Sequence, residues 1–340
     1  MEKKNIAWIN YLKAISIIAV YIVHCESYYG LGIGILEWLV RPFFVNAFFF
    51  VSGYLMFRKQ LSEPLIKQKT GAYLQSDGQT YLSNILFRIV IPSILFSIIE
   101  FLPAIAIRGE KFSMAEMLYK TIGGGTYWFT SALVVAQLLF FLLLLTRKRN
   151  VWFYSAIGIG IGLMATYLIT HDLWIGARNY WAYKQGLICM MFLALGGLYW
   201  RYEQQINKVL SWYVMLPLLA VYIYIVGWHY GSVECIISTF HLNGLGLLMS
   251  TIIVFLLPRI LRDLKPVDAI TYIGKHSICF YFMSGALPIV LGILVRHFMD
   301  VNAFGYILVL VFSLAIAYLA TYVINRWLPW LLDLRLLKKK

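Results

Sequence analysis

The sequence predicts an all-α integral membrane protein, a bundle of about ten transmembrane helices with both termini on the cytoplasmic side. Three observations carry this. The 340 residues are 61% hydrophobic and only 13% charged, more apolar surface than one water-soluble core can hide. Apolar runs recur along the whole chain at lengths near the ~20 residues that cross a bilayer. Runs such as "ALVVAQLLFFLLLL" do not alternate polar and apolar residues, which excludes a membrane β-barrel.

The spans follow in order. Residues 6–24 form the first, in a stretch that reads "LKAISIIAVYIVHCESYYG" from Leu12 to Gly30, with Lys13 near its start and His24 near its end. No small-residue cleavage site follows it, so it reads as a retained span rather than a secretory signal. The second, 36–57, ends in "FFFVSGYLMF". The polar loop "RKQLSEPLIKQKTGAYLQSDGQT", residues 58–80, is too short to fold alone and reads as a flexible or interfacial flap. Further spans lie at 82–107, 126–145, 151–170, 182–200, 209–229, 234–257, 271–295 and 304–330. With no repeat of fixed period and no second composition, 1–340 reads as a single domain. Cys25, Cys189, Cys235 and Cys279 lie in or beside spans at no metal-ligand or redox spacing and read as packing residues.

Orientation follows from the basic residues, because short cytoplasmic loops retain Lys and Arg. With the N-terminus inside, the inner segments hold Lys3, Lys4, Arg58, Lys59, Lys67, Lys69, the run Arg147 to Arg149, Arg201, Lys208, Arg259, Arg262, Lys265, Arg335 and Lys338 to Lys340. The outer loops hold only Arg108, Lys111, Lys120, Arg178 and Arg296. The net charge of +14 therefore reports topology and attraction to anionic lipid headgroups, not nucleic-acid binding.

Ionisable groups within a bilayer cost several kcal/mol and need a partner or a watered cavity, so each is a functional candidate. Lys13, Arg41, Arg88, Lys184, Lys275 and Arg326 fall within or at the edges of spans. Lys13, Arg88, Lys275 and Arg326 lie towards the cytoplasmic side and together frame an anion site. For Arg326 and Lys275, near span ends, snorkelling to the headgroups is the competing reading. His24 lies eleven positions after Lys13; at ~100° per residue that is about 20° past three turns, so both lie on one helix face, about 16 Å apart along the axis. Imidazole titrates near neutral pH and is the usual general base for a hydroxyl, and Glu26 is close by in the chain as an orienting carboxylate. His171, His229, His241, His276 and His297 lack a comparable constellation and read as structural.

The motifs resemble those of the acyltransferase 3 family of multi-pass bacterial membrane proteins. "IAWINYLKAISIIAVYIVH", residues 6–24, is similar to its first-span pattern of Arg, ten residues, and His, with Lys13 replacing the arginine and His24 in place. "FFFVSGYLMF" is similar to its second-span signature, with Ser52 and Gly53 in place. "FRIVIP" matches the end of an Arg-x-x-Arg segment at Arg88, with Asn84 or Ile85 where the first arginine would stand. "YWFTSAL", with Trp128 and Phe129, resembles the start of a later span, and "IGKHSICFYFMS" a late span that often ends in His where this chain has Ser284.

The resemblance implies an O-acyltransferase of the bacterial cytoplasmic (inner) membrane. No cofactor is bound permanently; the donor is an acyl-CoA, usually acetyl-CoA, and the acceptor a hydroxyl of an envelope glycan or lipid-linked sugar. His24 and Glu26 are then the catalytic candidates, Lys13, Arg88 and Lys275 hold the polyanionic donor, and Ser52, Arg41 and Trp128 are substrate-binding candidates. For Ser52 and Gly53 close helix packing is an equal alternative, and Trp128 also suits an interfacial anchor. No metal site is expected. A second function stays open, export of a polysaccharide or lipid-linked sugar through a conduit lined by the same charges.

Overall fold

The computed structural model describes residues 2–30, 34–62, 65, 67–108, 111–148, 150–174, 178–228, 235–236, 241–242 and 244–339. Arg149, His229 and Lys340 lie outside them, as do parts of the expected spans 209–229 and 234–257. The described residues are helical apart from turns and one two-residue antiparallel ladder, in which Cys235 pairs with Leu242 and Ile236 with His241.

Among the described residues six helices are long and apolar enough to cross a membrane: Ala7–Tyr29, Thr70–Phe101, Val151–Thr170, Tyr180–Val209, Gly244–Arg262 and Ala303–Trp327. A bent pair, Ser277–Met283 and Ala286–Phe298, makes a seventh if counted as one span, and Trp128–Leu144 and Trp212–Gly227 are shorter apolar helices. The expected second span departs most from a simple crossing. Residues 36–57 divide into α2 (Gly34–Val40) and α3 (Asn46–Gln60), with turns between them. Pro42 lacks an N–H and disfavours helix at Arg41 before it, so the first helix stops there.

The loop 58–80 is also more ordered than its polarity suggests. Helix resumes at Thr70, because Tyr73 is buried and its hydroxyl donates to Gln60 Oε1 at 2.7 Å. From α4 (Thr70–Tyr73) the chain passes through a wide turn at Leu74–Gly78, α5 (Gln79–Ile85) and a second wide turn at Leu86–Val90 into α6 (Ile91–Arg108). In the second turn the Ile91 N–H reaches back five residues to the Leu86 carbonyl. Pro92 has no N–H for the Arg88 carbonyl four residues earlier, which favours local widening at this point.

The chain forms two compact units. The first comprises residues 1–51, 203–236 and 241–323. Its centre is α1 (Glu2–Tyr29), which packs against Gly244–Arg262, Asp268–Lys275, Ser277–Met283 and Ala286–Phe298. One core cluster joins Cys25 and Tyr29 to Tyr306 and Val309, and another joins Leu210 and Met215 to Leu256. The second unit comprises residues 52–202, 237–240 and 324–340. There Phe57 is fully buried, edge-on to Phe140 at 5.7 Å and to Tyr154 at 6.2 Å between ring centroids.

Candidate active site

From Glu2 to Tyr29 the chain has neither proline nor glycine, so α1 runs unbroken until Gly30, whose φ of +93° is the left-handed conformation that commonly ends a helix. One rod thus carries Lys13, His24 and Glu26. It is an interior helix: 72% of its apolar window is buried, against 22% for Ala303–Trp327. Its rotation is set by hydrogen bonds to backbone from its own side chains. Tyr11 Oη accepts from the Val267 N–H at 2.6 Å and donates to the Lys265 carbonyl at 2.8 Å. Tyr21 donates to the Phe280 carbonyl at 2.9 Å. From the other side, Tyr306 donates to the Ile22 carbonyl at 3.2 Å.

His24 is half-buried. Its Nδ1 lies 2.7 Å from the carbonyl oxygen of Ser284. A carbonyl only accepts, so Nδ1 carries the proton, and in the neutral ring Nε2 keeps its lone pair. Among the described residues none hydrogen-bonds to Nε2, and the Tyr28 ring stands edge-on at 5.8 Å. The hydrogen bond thus selects the Nδ1–H tautomer of the neutral ring.

Among the described residues, Glu26, expected from sequence to orient the ring, makes no hydrogen bond to His24. Two residues along a helix is about 200° of rotation, so the two side chains do not face each other. Glu26 Oε2 is buried, with no hydrogen bond from any described residue, within reach of the charge of Arg41. Arg41 sits in the turn before Pro42, ion-paired with Glu37 one helical turn back and 5.0 Å from the centre of the Trp38 ring.

Lys13 is half-buried, and no described residue hydrogen-bonds or ion-pairs with its ammonium. Nearby, Gly274 meets α1 backbone to backbone: a Cβ there would stand 1.9 Å from the Asn10 carbonyl oxygen, so no other residue fits without movement. The contact sets the end of Asp268–Lys275 against the turn of α1 that leads to Lys13. Lys275 is exposed at the last position of that helix, where a cation complements the helix dipole.

In the second unit Arg88 occupies the wide turn Leu86–Val90, and its Nε donates to Asp333 Oδ2 at 3.1 Å. Arg335 grips the same carboxylate from Nε at 2.8 Å to Oδ1 and from Nη2 at 2.7 Å to Oδ2. Arg335 also donates to Asn84 Oδ1 at 3.1 Å and lies 5.5 Å from the centre of the Phe87 ring. Hydrogen bonds from Arg335, then from Arg88, hold the Asp333 carboxyl down at about 2. The Arg88 side chain nevertheless remains 64% exposed, so its outer nitrogens stay open to an anion. Asp333 and Arg335 were not singled out from sequence. The visible signal was slight, one acidic residue in the otherwise basic and apolar tail "LLDLRLLKKK".

The other candidates in this unit are placed by packing. A Cβ on Gly53 would stand 2.0 Å from the Leu193 carbonyl oxygen, so Gly53 marks a close crossing of α3 and the helix Tyr183–Val209, with Ser52 half-buried beside it. Trp128 opens the helix Trp128–Leu144, half-buried. The residues around it are tied to Ile91–Arg108: Tyr127 donates to Glu100 Oε2 at 2.6 Å, and Ser93 donates to Thr130 Oγ1 at 2.9 Å. The structure thus gathers Lys13, His24, Glu26, Arg41 and Lys275 in the first unit, and Ser52, Arg88 and Trp128 in the second.

Residues 6–325, nearly the whole chain, match the family model described as the acyltransferase domain of the acyltransferase 3 family. No curated protein and no solved structure matches the chain. A helical chain with several helices long and apolar enough to cross a membrane, matched over nearly its whole length by this family model, belongs to the acyltransferase 3 family of membrane acyltransferases.

Proposed function

We propose that the protein transfers an acyl group, acetyl in the simplest case, from cytoplasmic acyl-CoA to a hydroxyl of an envelope glycan or lipid-linked sugar at the bacterial inner membrane. The observation that supports this reading is the hydrogen bond from His24 Nδ1 to the Ser284 carbonyl, which leaves Nε2 as a base on the same helix as Lys13. Nε2 takes the proton of the acceptor hydroxyl as that oxygen attacks the thioester carbonyl. The C–S bond breaks, and the imidazolium returns its proton to the departing thiolate. If the acyl group passes through the ring instead, the same lone pair is the nucleophile.

Lys13 in the first unit, without a protein counter-ion among the described residues, and Arg88 in the second, with a largely exposed guanidinium, each suit a phosphate group. Lysine supplies a point charge where arginine would supply a fork. The ~16 Å between Lys13 and His24 along α1 suits a donor whose anionic end and thioester are joined by a long arm. In this reading both termini are cytoplasmic, and His24 lies nearer the outer face.

Mass spectrometry of envelope glycans tests the reading, with cells carrying the wild-type protein, His24→Gln, or neither. The expected result is an acyl mass increment on a sugar only with the wild type. Surface glycan that disappears without any change in acylation supports export and contradicts transfer.

A further inference from the structure

We infer that Pro288, remote from α1 in sequence, is the positioning residue that fixes the tautomer of His24, by leaving the Ser284 carbonyl without a helical donor. The inference rests on the proposed role of His24 as base. It begins from the register of the late helix. If the apolar segment from Ser277 to Phe298 were one continuous α-helix, the Ser284 carbonyl would accept from the N–H of residue 288, four positions on. Residue 288 is proline. It has no N–H, and its ring crowds the carbonyl of residue i−4, which is Ser284. The helix accordingly breaks here: Ser277–Met283 ends, Ala286–Phe298 departs at 46°, and both Ser284 and Pro288 are buried.

A buried carbonyl without a donor is costly, so the fold must supply one. The rest of Ser284 turns back on its own helix, its N–H bonding to the Tyr281 carbonyl at 3.1 Å and its hydroxyl donating to the same oxygen at 2.8 Å. Only the carbonyl oxygen faces α1, where it accepts from His24 Nδ1 at 2.7 Å. One turn earlier the Phe280 carbonyl accepts from Tyr21, three residues before His24. Two neighbouring side chains of α1 therefore read the carbonyls at the end of the broken helix. The side chain of Ser284 takes no part, so the identity of that residue matters less than the proline four positions on. Sequence alone places a serine there and gives no hint that its backbone is the partner.

The test is nitrogen-15 NMR of the imidazoles in the full-length protein in lipid nanodiscs, with the His24 signals assigned by their loss in His24→Gln. In the wild type His24 is expected as the single Nδ1–H tautomer. Pro288→Ala restores an N–H that competes for the Ser284 carbonyl. A shift towards the Nε2–H form is expected, with turnover lower by at least about tenfold, part of the 10²- to 10⁴-fold a positioned base contributes. Pro288→Gly, which also restores the N–H, provides a second variant should the first fail to fold. A wild-type His24 in the Nε2–H form overturns the inference without any variant, and so does an unchanged Nδ1–H tautomer in folded Pro288→Ala. A tautomer that shifts while turnover holds leaves the positioning intact and removes the role of His24 as base, so the two failures are distinguishable.

Discussion

Arg88 and Asp333 lie 245 positions apart in the chain and meet through a 3.1 Å hydrogen bond, with Arg335 closing on the same carboxylate. A basic residue read from sequence as one of several donor-binding cations is thus held at its base by an acid in the C-terminal tail, while its side chain stays largely exposed.

This clamp has a pH signature. The Asp333 carboxyl is lowered in the folded protein from 3.8 to about 2, first by Arg335 and then by Arg88. A depressed carboxylate contributes its stabilisation above the unfolded value and loses it as pH falls through the folded one. The melting temperature of the wild type should exceed that of Asp333→Asn by a nearly constant margin from neutral pH down to about 4, and the margin should fall away as pH drops through about 2. A margin that persisted below pH 2 would mean that Asp333 acts by packing rather than by charge.

Lys13→Ala should weaken acyl-CoA binding by about tenfold to a hundredfold, since a charge-assisted contact contributes about 1.5–3 kcal/mol. Lys13→Arg should retain binding or tighten it by adding a fork. Calorimetric titration with a non-hydrolysable acyl-CoA in detergent reads both. Unchanged affinity in Lys13→Ala would assign the lysine to the headgroup region.

Gly274→Ala places a methyl carbon against the Asn10 carbonyl, and Gly53→Ala places one against that of Leu193. Each should destabilise the protein by about 1–3 kcal/mol or more, because backbone cannot give way as a side chain does. Differential scanning fluorimetry in detergent reports this, and a wild-type melting temperature for either variant would exclude the close crossing.

The proposed inward placement of residues 58–80 is checked by Lys67→Cys, at an exposed position before the helix that starts at Thr70. A membrane-impermeant maleimide should label it only after permeabilisation. Labelling in intact cells would reverse the side assigned to Lys13 and Arg88.

Much of the helical content was legible in the sequence because apolar length alone decides it. The expected span 151–170 coincides with the helix Val151–Thr170. Breaks were not legible where apolar character runs through them. Pro42 and Pro288 each interrupt a greasy stretch, and hydropathy does not register the missing N–H. The shared face of Lys13 and His24 follows from helical periodicity and needed no structure. The partner of His24 did not, because a backbone carbonyl 260 positions away has no side-chain signature. Glu26 is the nearest carboxylate in the sequence, but two positions along a helix turn its side chain away from that of His24. Asp333 escaped for a similar reason, since only tertiary packing brings the tail beneath Arg88.

The central claim is that His24 Nε2 is the base for acyl transfer, and purified, folded His24→Gln tests it most directly. Glutamine keeps hydrogen-bonding capacity but exchanges no proton, so acylated product should form about 10²- to 10⁴-fold more slowly than with the wild type. If Lys13, about 16 Å along the helix, holds the donor, acyl-CoA affinity should stay nearly unchanged. Wild-type rates of product formation from His24→Gln would contradict the account and leave the histidine a lining residue.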